Sequence, residues 1–194
     1  EFVAGNYDKV ILVYNHFQNA AIQIVQNEQF LPIVVEETEQ SSNTTDYIYE
    51  PNIMQENPPL VFLMHGFTGS ALGISSYSEM NALADEHGFV VCYPQGTSDQ
   101  NGDNFWNVGY NFHDNINVDD VSFIVSLADY LQNEYGYDTD NTFVSGMSNG
   151  AEMSYKLACE TDGFFKAIAP VAGTMFGVSW SSCNPNPIPV LEIH

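Results

Sequence analysis

The chain has 194 residues, and its three Lys and Arg against 25 Asp and Glu leave a formal net charge of −22. So acidic a surface opposes binding to nucleic acid and anionic membranes and favours neutral substrates. The length allows one proper core, and no apolar run is long enough to span a bilayer. The chain begins at Glu1 without a methionine and stops at His194 inside a strand-like run, so it reads as a fragment with both ends missing. No signal peptide is visible, yet the acidic excess suggests a secreted or salt-adapted protein, and a secreted or periplasmic location is expected. Cys92 sits in an apolar strand pattern and reads as core, which leaves Cys159 and Cys183 free to pair in an oxidising compartment.

Residues 1–57 do not read like the rest. Lys9 to Asn15 and Ala20 to Gln26 are apolar, strand-like runs, Glu36 to Asp46 is an acidic polar loop, and Asp46 to Pro51 is a short aromatic strand stopped by proline. The stretches Tyr7-Asp-Lys-Val-Ile-Leu-Val-Tyr-Asn-His-Phe-Gln-Asn-Ala-Ala, Gln29-Phe-Leu-Pro and Asp46-Tyr-Ile-Tyr-Glu-Pro resemble the middle domain of a rotary ATP synthase gamma subunit. The long shaft helices of that family have no counterpart, so the resemblance implies scaffold and no rotary function. Two units are therefore expected, a β-rich leading segment at 1–57 and a second unit at 58–194, joined as a chimera. On that reading the leading strands pair mainly with each other. A ladder from 10–13 or 22–25 into 60–64 would instead make them ordinary first strands of one sheet.

From Pro58 strands and helices alternate. Leu60 to Met64 is apolar, Ile74 to Glu86 has helical spacing, and Phe89 to Tyr93 is apolar and stopped by Pro94. A loop from Gln95 to Asn117 carries Phe105, Trp106, Tyr110 and Phe112. Val118 to Tyr135 is a helix with Asn117 as its cap, followed by a strand, a helix to about Glu160, and strands at Ala167 to Val171 and Ile188 to His194. Such alternation predicts an α/β fold, a three-layer sandwich whose mostly parallel sheet binds ligands at the carboxyl ends of its strands.

Two constellations carry chemistry. Gly146-Met-Ser-Asn-Gly150, between an apolar strand and a helical pattern, is a Gly-x-Ser-x-Gly elbow that lifts the Ser148 hydroxyl out of the backbone as a nucleophile. His65-Gly66-Phe67-Thr68-Gly69 follows the Leu60 to Met64 strand, where a backbone donor for a developing oxyanion belongs. Phe67, with Thr68 as its neighbour, and Asn149 are assigned that role. His65 lies in the turn and reads as structural. Asp119 and Asp120 suit a helix N-terminus. Neither His113 in the aromatic loop nor His87 at a helix end has a spacing that marks a base, and His16 reads as a surface residue. Phe105, Trp106 and Tyr110 either line an acyl or aryl pocket or, for Trp106, pack as loop core. No histidine pair has metal-ligand spacing, so no metal or other cofactor is expected.

Pro59-Leu-Val-Phe-Leu-Met-His-Gly-Phe, Gly88-Phe-Val-Val-Cys-Tyr-Pro-Gln-Gly, Phe105-Trp-Asn-Val-Gly, Val118-Asp-Asp-Val-Ser-Phe, Gly146-Met-Ser-Asn-Gly and Ala167-Ile-Ala-Pro-Val-Ala-Gly, in this order, resemble α/β-hydrolases of the polyhydroxybutyrate depolymerase and feruloyl esterase type. The resemblance implies a serine esterase acting on a small or polymeric ester without a metal, with Ser148 as nucleophile. It also implies a triad acid and histidine beyond His194, and hence little turnover by this chain, which reads as a C-terminally truncated hydrolase. The alternative is a non-catalytic scaffold fragment related to the gamma subunit.

Overall fold

A computed structural model of the chain describes residues 57–113, 115–175 and 183–194, together with strand backbone at 10–19, 22–31 and 48–49. The loop read at 36–46, Trp180 and the side chain of His16 lie outside the described residues. The elements in order are β1 (Val10–Asn19), β2 (Ile22–Leu31), β3 (Ile48–Tyr49), β4 (Leu60–Met64), α1 (Ala71–Ser78), α2 (Met80–His87) and β5 (Val90–Cys92). There follow β6 (Thr97–Ser98), β7 (Asn104–Phe105), a 3-10 turn at Asn111–His113, α3 (Asp120–Tyr135), β8 (Thr142–Met147), α4 (Asn149–Glu160) and β9 (Ile168–Val171).

The central sheet has the order β3-β5-β4-β8-β9, parallel except for β3, which runs antiparallel to β5. Strand β4 lies between β5 and β8 with both faces covered, which is why Leu-Val-Phe-Leu-Met is a continuous apolar run and not an alternating one. Its even positions, Leu60, Phe62 and Met64, join Val90, Val144 and Ile168 beneath Ile124, Leu127 and Leu131 of α3 and Met153 and Leu157 of α4. Each such side chain taken from water contributes about 1.5–3 kcal/mol. On the other face Leu63 and Val91 pack under Ala71 and Ile74 of α1 and Ala84 of α2. The expected three-layer α/β arrangement is thus present. Beside α1 and α2 the same face borders an apolar groove of about 580 Å³, lined by Val61, Phe143, Ala169, Leu191 and Ile193 among others.

Several boundaries differ from the sequence reading for local reasons. The single helix expected at 74–86 is two helices, because Glu79 adopts a left-handed conformation (φ 52°) between them. Helix α3 is capped by Asp119, whose carboxylate accepts from the Ser122 N–H at 3.0 Å, and not by Asn117. The expected strand at 188–194 is reduced to two parallel bridges, Ile168 to Val190 and Val171 to Ile193. Strands β1 and β2 pair antiparallel as a sheet of their own, and the neighbours of β4 are β5 and β8. No helix among the described residues is long and apolar enough to cross a membrane.

Candidate active site

Strand β8 ends at Met147 and α4 begins at Asn149, so Ser148 alone makes the turn, at φ 54° and ψ −116°. A non-glycine residue held there costs about 1–3 kcal/mol and persists only where its surroundings over-determine it. The Ser148 N–H donates to Val171 O at 2.9 Å and its carbonyl accepts from the Glu152 N–H at 3.0 Å. Close packing does the rest. A Cβ on Gly146 would lie 2.4 Å from the Gly150 carbonyl, and one on Gly150 would lie 2.5 Å from Met64 O and 2.6 Å from His65 O. Both positions therefore demand glycine, and the second presses the first turn of α4 onto the end of β4. Ser148 is exposed, and its hydroxyl makes no hydrogen bond among the described residues.

The loop after β4 lies against this elbow: a Cβ on Gly66 would be 3.3 Å from Met147 O and 3.5 Å from the Ser148 Cβ. Gly69 N–H donates to Gly66 O, and Thr68 N–H donates to Asn104 O at 2.8 Å. Thr68, at φ 65°, has thus spent its amide on β7, whereas the Phe67 N–H makes no bond among the described residues. This separates the two donors that the sequence left side by side. The Asn149 N–H opens α4, where a helix has no internal acceptor and its dipole favours negative charge.

His65 is not placed to act as a base. Its Nε2 accepts from the Gly96 N–H at 2.9 Å, so Nδ1 carries the proton and donates to Gly66 O at 2.8 Å. Burial lowers its pKa, against the Gly66 hydrogen bond, and keeps the ring neutral. Trp106 Nε1 donates to His65 O at 2.9 Å, and the Asn149 side chain grips the Trp106 backbone from both sides, accepting from its N–H at 2.7 Å and donating to its carbonyl at 3.0 Å. Phe105 and Trp106 are consequently fully buried. Tyr110 is half-buried, hydrogen-bonded to Glu152, and its ring meets Phe67 edge-on at 6.4 Å.

Other ionisable groups hold the loop. Asp120 is buried, accepts from the Asn107 N–H at 2.6 Å, and is pushed up to about 6 by burial against the opposing pull of that bond and of Lys156. Lys156 Nζ donates to Asn107 O at 2.7 Å. His113 pairs with Asp99 at 3.3 Å, and His194 lies 3.8 Å from Glu192. No group of three metal-ligating side chains occurs among the described residues. Cys159 and Cys183 are joined by a disulfide that ties α4 to the final segment, and burial pushes the free Cys92 thiol up. The Asn149 clamp and the Asp120 prop were missed in sequence because both act on backbone more than ten residues away.

The Esterase PHB depolymerase family model matches residues 45–188. A probable acetylxylan esterase A of Aspergillus fumigatus is 33% identical over 144 residues, covering 74% of this chain and 38% of that protein. Feruloyl esterase B of Talaromyces funiculosus is 29% identical over 142 residues, covering 73% and 40%. Among solved structures, the acetyl xylan esterase from Aspergillus awamori superposes with a TM-score of 0.54 at 27% identity, covering 66% of this chain and 47% of that one. A separate similarity, 54% identity over 52 residues, links 27% of the chain to 18% of the ATP synthase gamma chain of Flavobacterium johnsoniae. The chain spans less than half the length of these relatives. The family match covers the elbow, the loop after β4 and the sheet that positions both, and the chain belongs to the Esterase PHB depolymerase family.

Proposed function

We propose that residues 58–194 carry the nucleophile and oxyanion site of a serine carboxylic-ester hydrolase that works through an acyl-enzyme. The observation that carries this reading is the Ser148 elbow, exposed and strained, beside two amides that other bonds leave free. Ser148 Oγ attacks the ester carbonyl carbon as its proton passes to a base, and the charge moves onto the carbonyl oxygen facing Phe67 and Asn149 N–H. Collapse expels the alcohol, which takes the proton, and water then releases the acid from Ser148. Amide donors aimed at such an oxyanion contribute several kcal/mol. Relatives named for acetyl and feruloyl groups support a carboxylic acyl group on the serine. The disulfide supports a secreted setting.

The histidines with described side chains, His65, His87, His113 and His194, do not hydrogen-bond the Ser148 hydroxyl. Slow turnover of p-nitrophenyl acetate is therefore expected, accelerated by imidazole in solution and abolished in Ser148→Ala. Hydrolysis that is insensitive to Ser148→Ala would sink the reading.

We further propose that residues 1–57 are a foreign leading segment joined to the hydrolase unit. The gamma-chain similarity and the self-contained β1–β2 sheet support it, while the pairing of β3 with β5 ties the end of that segment to the sheet. Amide hydrogen exchange tests it: β1 and β2 should exchange at a stability separate from β4 and β8. A shared global stability would count against it.

A further inference from the structure

The two donors of the proposed oxyanion site sit on different elements, so their spacing depends on what joins the loop after β4 to α4. The close approach of Gly150 to Met64 and His65 is one such join. A second runs through side chains. The Gly66–Phe67 peptide carries the Phe67 N–H, and its carbonyl end is fixed, because Gly66 O accepts from His65 Nδ1 at 2.8 Å and from the Gly69 N–H at 2.9 Å. Its amide end is steered by the Phe67 side chain, which is half-buried among Tyr110, Phe112 and His113, with ring centroids 6.4, 5.9 and 5.8 Å away.

Within this cage Tyr110 is tied to the elbow helix. Its hydroxyl donates to Glu152 Oε2, with the Asn149 side chain as a second neighbour. Asn149 and Glu152 both belong to the start of α4: the Asn149 N–H is the other donor, and the Glu152 N–H closes the first helical bond on Ser148 O at 3.0 Å. A closed circuit results. It runs from Ser148 O to the Glu152 backbone, from the Glu152 carboxylate to the Tyr110 hydroxyl, and from the Tyr110 ring to the Phe67 ring and amide. Burial, and then the neighbouring Glu152, push the Tyr110 pKa up, so the hydroxyl keeps its proton and stays a donor. A hydroxyl on a carboxylate is among the stronger hydrogen bonds. The other two rings restrain Phe67 less: Phe112 is 65% exposed, and His113 is held by Asp99 at 3.3 Å, away from α4.

We propose that Tyr110 and Glu152 are positioning residues for ester cleavage: their hydrogen bond sets the Phe67 N–H against Ser148 and the Asn149 N–H, and both act through that amide. The kinetic consequence rests on the esterase reading, whereas the coupling of Glu152 to the Phe67 amide does not and is measurable in the unreacted protein. The oxyanion forms only on the way to the acyl-enzyme. Loss of the tether therefore lowers the limiting rate of acylation and leaves ester binding in place, a split that a general loss of stability does not produce.

The test combines acylation of the full chain by p-nitrophenyl acetate, at fixed imidazole over a range of ester concentrations, with backbone ¹⁵N–¹H shifts. Tyr110→Phe and Glu152→Ala should each move the Phe67 amide resonance and lower the limiting rate of acylation at Ser148 about tenfold, with the half-saturating ester concentration within about twofold of the parent. Glu152→Gln keeps an acceptor for the Tyr110 hydroxyl, so it should return the rate to within about threefold of the parent. Gly163→Ala, strained at φ 86° in open space, should melt lower with neither change. A parental limiting rate, or an unmoved Phe67 amide, in both Tyr110→Phe and Glu152→Ala overturns the proposal, as does a rate loss that Glu152→Gln fails to restore or that Gly163→Ala shares. Absence of acylation at Ser148 in the parent chain would instead refute the esterase reading, and the Phe67 shifts alone would then decide the coupling.

Discussion

Gly150→Ala probes the contact that joins the two halves of the site. The added Cβ would meet Met64 O at 2.5 Å, His65 O at 2.6 Å and Met64 C at 2.8 Å, all backbone at the end of β4. Ordinary contact begins at 3.4 Å, so the start of α4 must move back by about 0.9 Å. Overpacking of this kind costs about 1–3 kcal/mol, and the helix preference of Ala over Gly offsets about 1 of it. A net loss of up to about 2 kcal/mol lowers Tm by up to roughly 6 °C in a chain of this size. The same movement carries Ser148 and the Asn149 N–H away from Phe67, and a displacement near 1 Å can cost about 10² in rate. Gly163→Ala is the control. It places Ala at φ 86° in open space, a strain of about 1–2 kcal/mol far from the elbow. Thermal melts and amide shifts are the assay: both variants should melt lower, and only Gly150→Ala should move the Phe67 and Asn149 resonances. A Gly150→Ala protein with parental Tm and unshifted amides would refute the packing argument.

Asp120 gives a pH signature. Burial raises its pKa from 3.8 to about 6, so the folded state holds the proton more tightly than the unfolded chain, and stability falls as pH rises from about 4 to about 6. The loss is about 3 kcal/mol, and Asp120→Asn should remove that slope in urea titrations, whereas parallel profiles would contradict it. Reduction of the Cys159–Cys183 disulfide, which spans 24 residues, should cost about 3 kcal/mol and lower Tm by roughly 10 °C. An unchanged melt in dithiothreitol would show that the bridge constrains nothing. Tyr110→Phe removes the hydroxyl bonded to Glu152 and should cost about 1 kcal/mol, seen as faster amide exchange in the 107–113 segment. Exchange rates equal to those of the parent would contradict it.

The parts of the fold that were legible in sequence are those whose burial follows a simple period. Strand β4 shows as an unbroken apolar run, β8 as a short apolar strand that runs into the Gly-x-Ser-x-Gly pentapeptide, and α3 as an apolar stripe, and each marks its own element. Ser148 was legible because the elbow needs glycines at fixed offsets, and the close approaches that a Cβ would make at Gly146 and Gly150 are the reason. The loop at 95–117 was not legible. Its small β6–β7 hairpin, the buried Trp106 and the His113–Asp99 pair depend on partners supplied by β4 and α4, and local pattern carries no trace of them. An exposed and a buried aromatic look alike in sequence, so pattern alone left Trp106 open between pocket lining and loop core, and its burial follows from partners distant in the chain.

The most direct test of the account is to identify the residue acylated when the chain reacts with p-nitrophenyl acetate, by tandem mass spectrometry of the quenched digest. The account predicts one acetyl group on the peptide containing the elbow, localised to Ser148, more abundant with added imidazole and absent in Ser148→Ala. Acetyl groups scattered over lysines and other serines, with Ser148 no more reactive than Ser145 or Ser154, would contradict it.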